Sequence, residues 1–326
     1  MNTKLVTGLR GILCVLVIAT LIISVGCQGE GGQLPAPSSS SELSSTLVPN
    51  MALDVYVYAK QDSPTMIPAE MVDAPYDVGV ESLAVWGVFA EDKFAFGVGL
   101  TLTSASDASR LYDEIDLGEE GWKTLDGNTI FFVYGSGTAA ESLTTAISNR
   151  VFKYYDDSES LEAVASLPSQ DTTKLAAIAL AKPSEELIGF LTKDTDFEDL
   201  GPINTMLELA NLKVVAAGLY SPHQIDLAQA AAVMESDGDI SNLDIGLLVL
   251  VKSGLPGFLV EPAVEKFLSE SDFTETNLGE LTIYKGLWDS GGGAIPVLVR
   301  IEGNCIFAAV AGQESYAETL ITSTNK

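Results

Sequence analysis

The residues of this chain that could do chemistry are few and can be weighed one at a time. Asp237, Asp239, Ser241 and Asp244 place side-chain oxygens at nearly alternate positions, as a loop that wraps calcium does. That loop type also needs a glycine at its sixth position and a bidentate acid at its twelfth, which here are Asn242 and Leu248. No resident metal is therefore expected, and these four oxygens mark where a cation would sit if one bound. His223 is the only histidine, and no HExxH or CxxC pattern offers zinc a set of ligands. As a general base it would need a nucleophile and an orienting acid, and the GxSxG elbow is absent. The run Gly135-Ser136-Gly137-Thr138-Ala139-Ala140 lies between a strand and a helix, and Asp156-Asp157 follow the next apolar run. That is the order of a dinucleotide-binding unit. The unit comes late in its part of the chain, however, and an otherwise similar stretch further on carries Ala311-Gly312-Gln313 instead. The glycines therefore read as a structural turn, and no cofactor is expected. Trp86, Trp122 and Trp288, with Tyr56, Tyr58, Tyr134 and Tyr284, could line a groove, but aromatic residues on strands usually pack in the core or across strands. None of the 45 acids is singled out by an apolar setting. No catalytic residues are assigned, and the expectation is a protein that is not an enzyme.

The elements that would position any site read as an α+β fold. Residues 94–103, 129–135, 174–181, 212–220, 243–252, 280–286, 295–301 and 304–311 are short apolar or alternating runs, hence strands. Ser104 with Asp107 caps a helix over 105–115. Ser221-Pro222-His223-Gln224 opens one to about Glu235, and Glu261-Pro262 starts another with Val264, Phe267 and Leu268 on one face. The turn-forming run Asp289-Ser290-Gly291-Gly292-Gly293 predicts a hairpin. Several strands follow each other through tight turns, which favours a mixed or antiparallel sheet with helices on one side.

The chain also resembles itself. Gly127-Asn128-Thr129-Ile130-Phe131 is echoed by Gly303-Asn304-Cys305-Ile306-Phe307, and Ala140-Glu141-Ser142-Leu143 by Ala317-Glu318-Thr319-Leu320. Upstream, Gly97 to Leu102 matches Gly246 to Val251, and Val55 to Lys60 parallels Ala177 to Lys182. Four matches in one order point to two divergent copies of one unit. The expected organisation is 51–155 as the first repeat, 156–173 as a linker and 174–326 as a second, longer repeat.

Composition narrows the partners. With 47% hydrophobic and 19% charged residues the chain has the make-up of a packed globular protein. Two of the 17 basic residues, Lys4 and Arg10, and none of the 45 acids lie in the first 26 positions, leaving 15 bases against 45 acids. A body this acidic repels nucleic acid, which is excluded as a partner.

Lys4 and Arg10 precede the uncharged run 11–26, GILCVLVIATLIISVG, which is shorter than the roughly 20 residues that span a bilayer. With Ile23-Ser24-Val25-Gly26-Cys27 at its end, the chain resembles bacterial lipoprotein precursors. The resemblance covers these residues alone and implies cleavage before Cys27 and its acylation, with 1–26 as the signal peptide. Cys14 follows the bulky Leu13 and suits cleavage poorly, and Cys305 is left without a disulfide partner. An uncleaved N-terminal membrane helix is the alternative, and either way the body lies outside the cytoplasm, where dinucleotides are scarce. Residues 27–50 are rich in Gly, Ser and Pro and read as a flexible tether. The expected function is a lipid-anchored extracytoplasmic binding or interaction module. Its partners are the membrane through the anchor and a protein or small molecule. A solute-binding lipoprotein that closes two halves on its ligand is the alternative, and a hydrolase ranks last.

Overall fold

The computed structural model describes residues 43–67, 78–90, 93–115, 117, 121–168, 175–184, 211–221, 245–289 and 294–324. The strands are β1 (Leu47–Pro49), β2 (Val55–Ile67), β3 (Val78–Ala90), β4 (Lys93–Leu102), β5 (Gly121–Asp126), β6 (Thr129–Gly135), β7 (Phe152–Tyr154), β8 (Leu175–Ala181), β9 (Leu212–Tyr220), β10 (Gly246–Ser253), β11 (Thr274–Leu278), β12 (Leu281–Asp289), β13 (Ala294–Glu302) and β14 (Cys305–Ala311). The described helices are α1 (Ala105–Glu114), α2 (Gly137–Ser148), α3 (Ser158–Ala165), α4 (Gly257–Glu270) and α5 (Glu314–Thr322).

Twelve strands form one sheet in the order β11-β12-β13-β14-β10-β9-β8-β2-β3-β4-β6-β5, while β1 and β7 make a separate two-stranded ribbon. Neighbours in the large sheet pair antiparallel throughout, so the fold is mixed α/β with an antiparallel sheet. Strands from 51–155 and from 174–326 meet where β2 pairs with β8, Val57 lying opposite Ala179.

The helices lie on both sides of this sheet, not on one. Alternation along the strands explains why. On one face Trp86, Val133, Leu180, Leu250 and Phe307 pack with Leu143 and Ile147 of α2, Ala163 of α3 and Leu320 of α5. The side chains that alternate with them are apolar too. Val78, Leu102 and Ile130 pack with Ala108 and Leu111 of α1, and Val297, Val299 and Val310 with Val264 and Leu268 of α4. A sheet apolar on both faces must be covered on both.

The tight turns are built by the residues that echo each other. Gly127 and Gly303 take φ of 62° and 61°, which glycine adopts at no steric cost, and each closes a two-residue hairpin loop with the asparagine after it. Asn128 Nδ2 donates to the Leu102 carbonyl at 2.6 Å, and Asn304 Nδ2 to the Ser253 carbonyl at 2.7 Å. The hairpin foreseen around 289–293 joins β12 to β13, with Asp289 opposite Ala294.

Elsewhere the boundaries differ from expectation. Ser104 caps α1 as its sequence indicates, accepting from the Asp107 amide at 3.1 Å. By contrast α4 begins at Gly257, and Pro262 lies inside it; Phe258, whose carbonyl the missing N–H would have met, is in the first turn and faces water. Strand β3 was not foreseen because its polar Glu81-Ser82 pair breaks the alternation where the ladder to β4 shifts register. The described residues begin at Leu43, and within the stretch expected as tether Leu43, Thr46 and Val48 are buried. The stretch 156–173 read as a linker contains α3, capped by Asp157, whose Oδ1 accepts from the Ser160 amide at 2.9 Å.

Candidate functional site

Of the residues singled out by chemistry, Cys27, His223, the cation candidates Asp237, Asp239, Ser241 and Asp244, and the Trp288 side chain lie outside the described residues. The glycine turn does lie within them, and it is closed. A Cβ on Gly135 would stand 2.5 Å from the Phe94 carbonyl oxygen, and one on Gly137 would stand 2.8 Å from Lys93 Cδ. The turn is packed against the start of β4, where a pyrophosphate would have to lie. The aromatic residues divide between the two faces. Tyr56, Tyr58, Trp86 and Trp122 belong with the α2 side. On the opposite face Tyr284 is buried, and Tyr134 packs against Phe96 at 5.6 Å. The sheet separates them, so they line no common groove. The Tyr284 hydroxyl donates to Glu265 Oε1 at 3.0 Å, and burial, followed by that carboxylate, pushes its ionisation up to about 12. Cys305 is half-buried, and desolvation raises its thiol pKa above the ordinary value.

The structure concentrates polar and apolar detail where the chain enters the fold. Tyr56 is buried on β2; its hydroxyl donates to Thr46 Oγ1 at 2.7 Å, and Thr46 donates to the Leu43 carbonyl at 2.7 Å. Burial raises the Tyr56 pKa strongly, so the phenol stays neutral and the N-terminal segment is fastened to the sheet. Tyr155 stacks obliquely on Tyr56 with centroids 5.0 Å apart. Next to it α3 is held by charge. Lys182 pairs with Asp157, and Lys252 Nζ donates to Glu162 Oε2 at 2.6 Å. The hydrogen bond from Lys252 holds the Glu162 carboxyl below its ordinary pKa and raises that of Lys252 in return.

The ribbon of β1 and β7 covers this entry. One end of it is well packed: Phe152 approaches Phe131 at 5.8 Å and Trp86 at 6.3 Å. The other end is not. Leu47 and Tyr154 face each other across the two strands and are 54% and 64% exposed. Val151, 45% exposed, precedes β7, its carbonyl accepting from the Asn50 amide at 2.9 Å. The neighbouring cations are neutralised locally, Arg150 by Asp126 at 2.8 Å and Lys153 by Asp156 at 3.0 Å. A second exposed apolar pair, Phe258 and Leu259, starts α4 on the other side of the sheet. Neither patch was singled out in the sequence. The alternation of Val151-Phe152-Lys153-Tyr154 was a signal for β7, while Leu47 was hidden inside a Ser-rich stretch.

No protein-family model matches the sequence, and no curated protein matches it. Among solved structures the chain is similar to TP0453 in three crystal forms. Form III is 12% identical with a TM-score of 0.40, over 84% of this chain and 96% of that one. Form IV is 10% identical with a TM-score of 0.37, over 86% and 99%. Form I is also 10% identical with a TM-score of 0.37, over 86% and 100%. Among the described residues, no helix is long and apolar enough to cross a membrane.

Proposed function

We propose that this protein is a lipoprotein held at the extracytoplasmic face of a membrane through acylated Cys27, its folded body acting as a non-enzymatic binding or interaction module. The observation that carries the reading is the basic start, the uncharged run 11–26 and the small-residue exit into Cys27. The stretch that follows Cys27 is rich in Gly, Ser and Pro, as a tether would be. Mass spectrometry of detergent-extracted protein should find an N-terminal peptide that begins at Cys27 and carries fatty acyl chains. A Cys27→Ser variant should keep its first 26 residues. A bare thiol on an uncleaved wild-type chain would end this reading.

The body is read as two divergent copies of one unit. In support, the ladder through Val57, Val85, Val98 and Phe132 has a counterpart through Ala179, Ala217, Val249 and Ala308. Val57 and Ala179, equivalent by sequence, face each other, as a local two-fold axis between β2 and β8 would place them. On this ladder Gly97 corresponds to Leu248, two residues beyond the sequence match to Gly246. The bonds from Asn128 to Leu102 and from Asn304 to Ser253 fall on equivalent positions. A solute-binding body needs halves that hinge, and a ladder running unbroken across the junction resists hinging, which favours the interaction module.

A further inference from the structure

We infer that the outer edge of β11 is a docking site for an extended, basic segment of a partner protein, which joins the large sheet as a further strand; this rests on the reading of the body as an interaction module and names the partner's chemistry. The two ends of the sheet are β5 and β11, and they are finished differently. At β5 the end of α1 lies across the edge. Lys123 Nζ donates to the Ile115 carbonyl at 2.6 Å and to the Tyr112 carbonyl, and the Tyr112 hydroxyl reaches the Lys123 carbonyl at 3.5 Å. β11 has no such cover among the described residues. Leu278 and Leu281 flank the two-residue loop Gly279-Glu280 and so form a hydrogen-bonded pair. That register turns the amides and carbonyls of Glu275 and Asn277 away from β12. Among the described residues no hydrogen bond reaches those groups, and residues 274–277 are exposed.

An unpaired row of main-chain groups is a template for another strand, and proteins blunt such edges with proline, a bulge or lysine. β11, Thr-Glu-Thr-Asn-Leu, has no proline or lysine and pairs with β12 without a shift of register. Its guard is negative charge, and that charge says what docks. Glu275 lies opposite Tyr284, whose hydroxyl donates to Glu265 at 3.0 Å. Burial first, then the bond to Glu265 and the charges of Glu265, Glu275 and Glu261, push that phenol up to about 12, so three carboxylates gather on the α4 side of this edge. Among the described residues Glu261 and Glu275 form no ion pair, whereas Lys266 is taken by Glu270 and Lys285 by Glu314. A second copy of this chain, with its net charge of −28, brings the same acids to the same edge and is repelled. An added strand turns alternate side chains to one face. Lysine or arginine at every second position therefore meets Glu275 and the α4 carboxylates, while the main chain supplies the hydrogen bonds.

The test uses the full-length product in non-ionic detergent and a fluorescein-labelled peptide of alternating lysine and valine, followed by fluorescence anisotropy at physiological salt. A peptide of the same charge with proline in place of valine cannot pair as a strand and reports bulk attraction to an acidic protein. Asn277→Pro removes an outward N–H and leaves the bonds to β12 in place, since an edge strand tolerates proline on its solvent side. The lysine-valine peptide should bind the wild type, and Asn277→Pro should weaken it about tenfold. Glu275→Lys should weaken it as well. Hydrogen exchange read by mass spectrometry should show residues 274–278 protected by the peptide. Equal affinity for wild type and Asn277→Pro, an equally tight lysine-proline peptide, protection only elsewhere, or no binding overturns the assignment. The two peptides are compared on the wild-type chain, so that comparison stands even if a variant fails to fold. A negative result removes the edge assignment and leaves the acylation of Cys27, which mass spectrometry decides separately, untouched.

Discussion

Trp86 and the glycines beside it show how finely single residues shape this core. The indole is 2% exposed and lies over β4, where a Cβ on Gly99 would stand 2.9 Å from its Cη2 atom and one on Gly97 3.2 Å from its Cε3 atom. Gly97 sits directly opposite Trp86 across the ladder. In the β9–β10 ladder Gly218 likewise sits opposite Leu248, and a Cβ there would stand 2.6 Å from the Tyr220 ring. Gly99→Val puts extra atoms where the indole lies, and the expected cost is about 1–3 kcal/mol. Urea unfolding should show a lower midpoint with an unchanged slope. An unchanged midpoint would mean that Trp86 packs elsewhere. The Gly97-Val98-Gly99 spacing was visible in the sequence, but nothing in it said which large side chain the glycines admit.

At the level of elements, α3 is a docked helix in a stretch whose acidic, polar composition is that of a linker. Its sequence has a cap in Asp157 but only eight residues, too few for a stable isolated helix. Tertiary contacts decide that it forms: Ala163 and Val164 enter the core, and Glu162 reaches Lys252 at the end of β10. The pair has a defined pH window. Glu162 is shifted below its ordinary 4.5, so its contribution is complete above 4.5 and is lost as pH falls through the lower value in the folded state. Lys252 is shifted above 10.5, so its contribution is complete below 10.5 and is lost as pH rises past the higher value. Glu162→Gln should therefore lower Tm slightly at pH 7, the carboxylate being exposed, and the gap from wild type should narrow as pH falls below 4.5. A gap that stays constant into acid would show that the charge contributes nothing. The same tertiary logic explains residues 43–50, whose composition is that of a spacer but whose Leu43, Thr46 and Val48 are buried.

For the whole molecule, the decisive feature is the ladder between β2 and β8. It joins the two halves by main-chain hydrogen bonds and buries what would otherwise be two sheet edges. In isolation the second half would present β8, Leu-Ala-Ala-Ile-Ala-Leu-Ala, as an apolar unpaired edge, an invitation to associate. The body should accordingly unfold as one unit. Calorimetry of the chain from residue 28 should give a single transition whose calorimetric and van't Hoff enthalpies agree. Two resolved transitions would show that the halves are independent and that the junction contributes little.

By itself the sequence determined the net charge, most strands and the Gly-Asn hairpins, and on it rest the proposed export signal and the proposed repeat. Each of these is written in neighbouring residues, through polarity, periodicity or the backbone freedom of glycine. The tertiary structure alone decided that both faces of the sheet are covered, that the halves share one sheet, that α3 and the segment from Leu43 are packed, and that Leu47 and Tyr154 meet on an exposed ribbon. Those outcomes depend on which distant side chains compete for the same buried surface, and no local pattern records that competition.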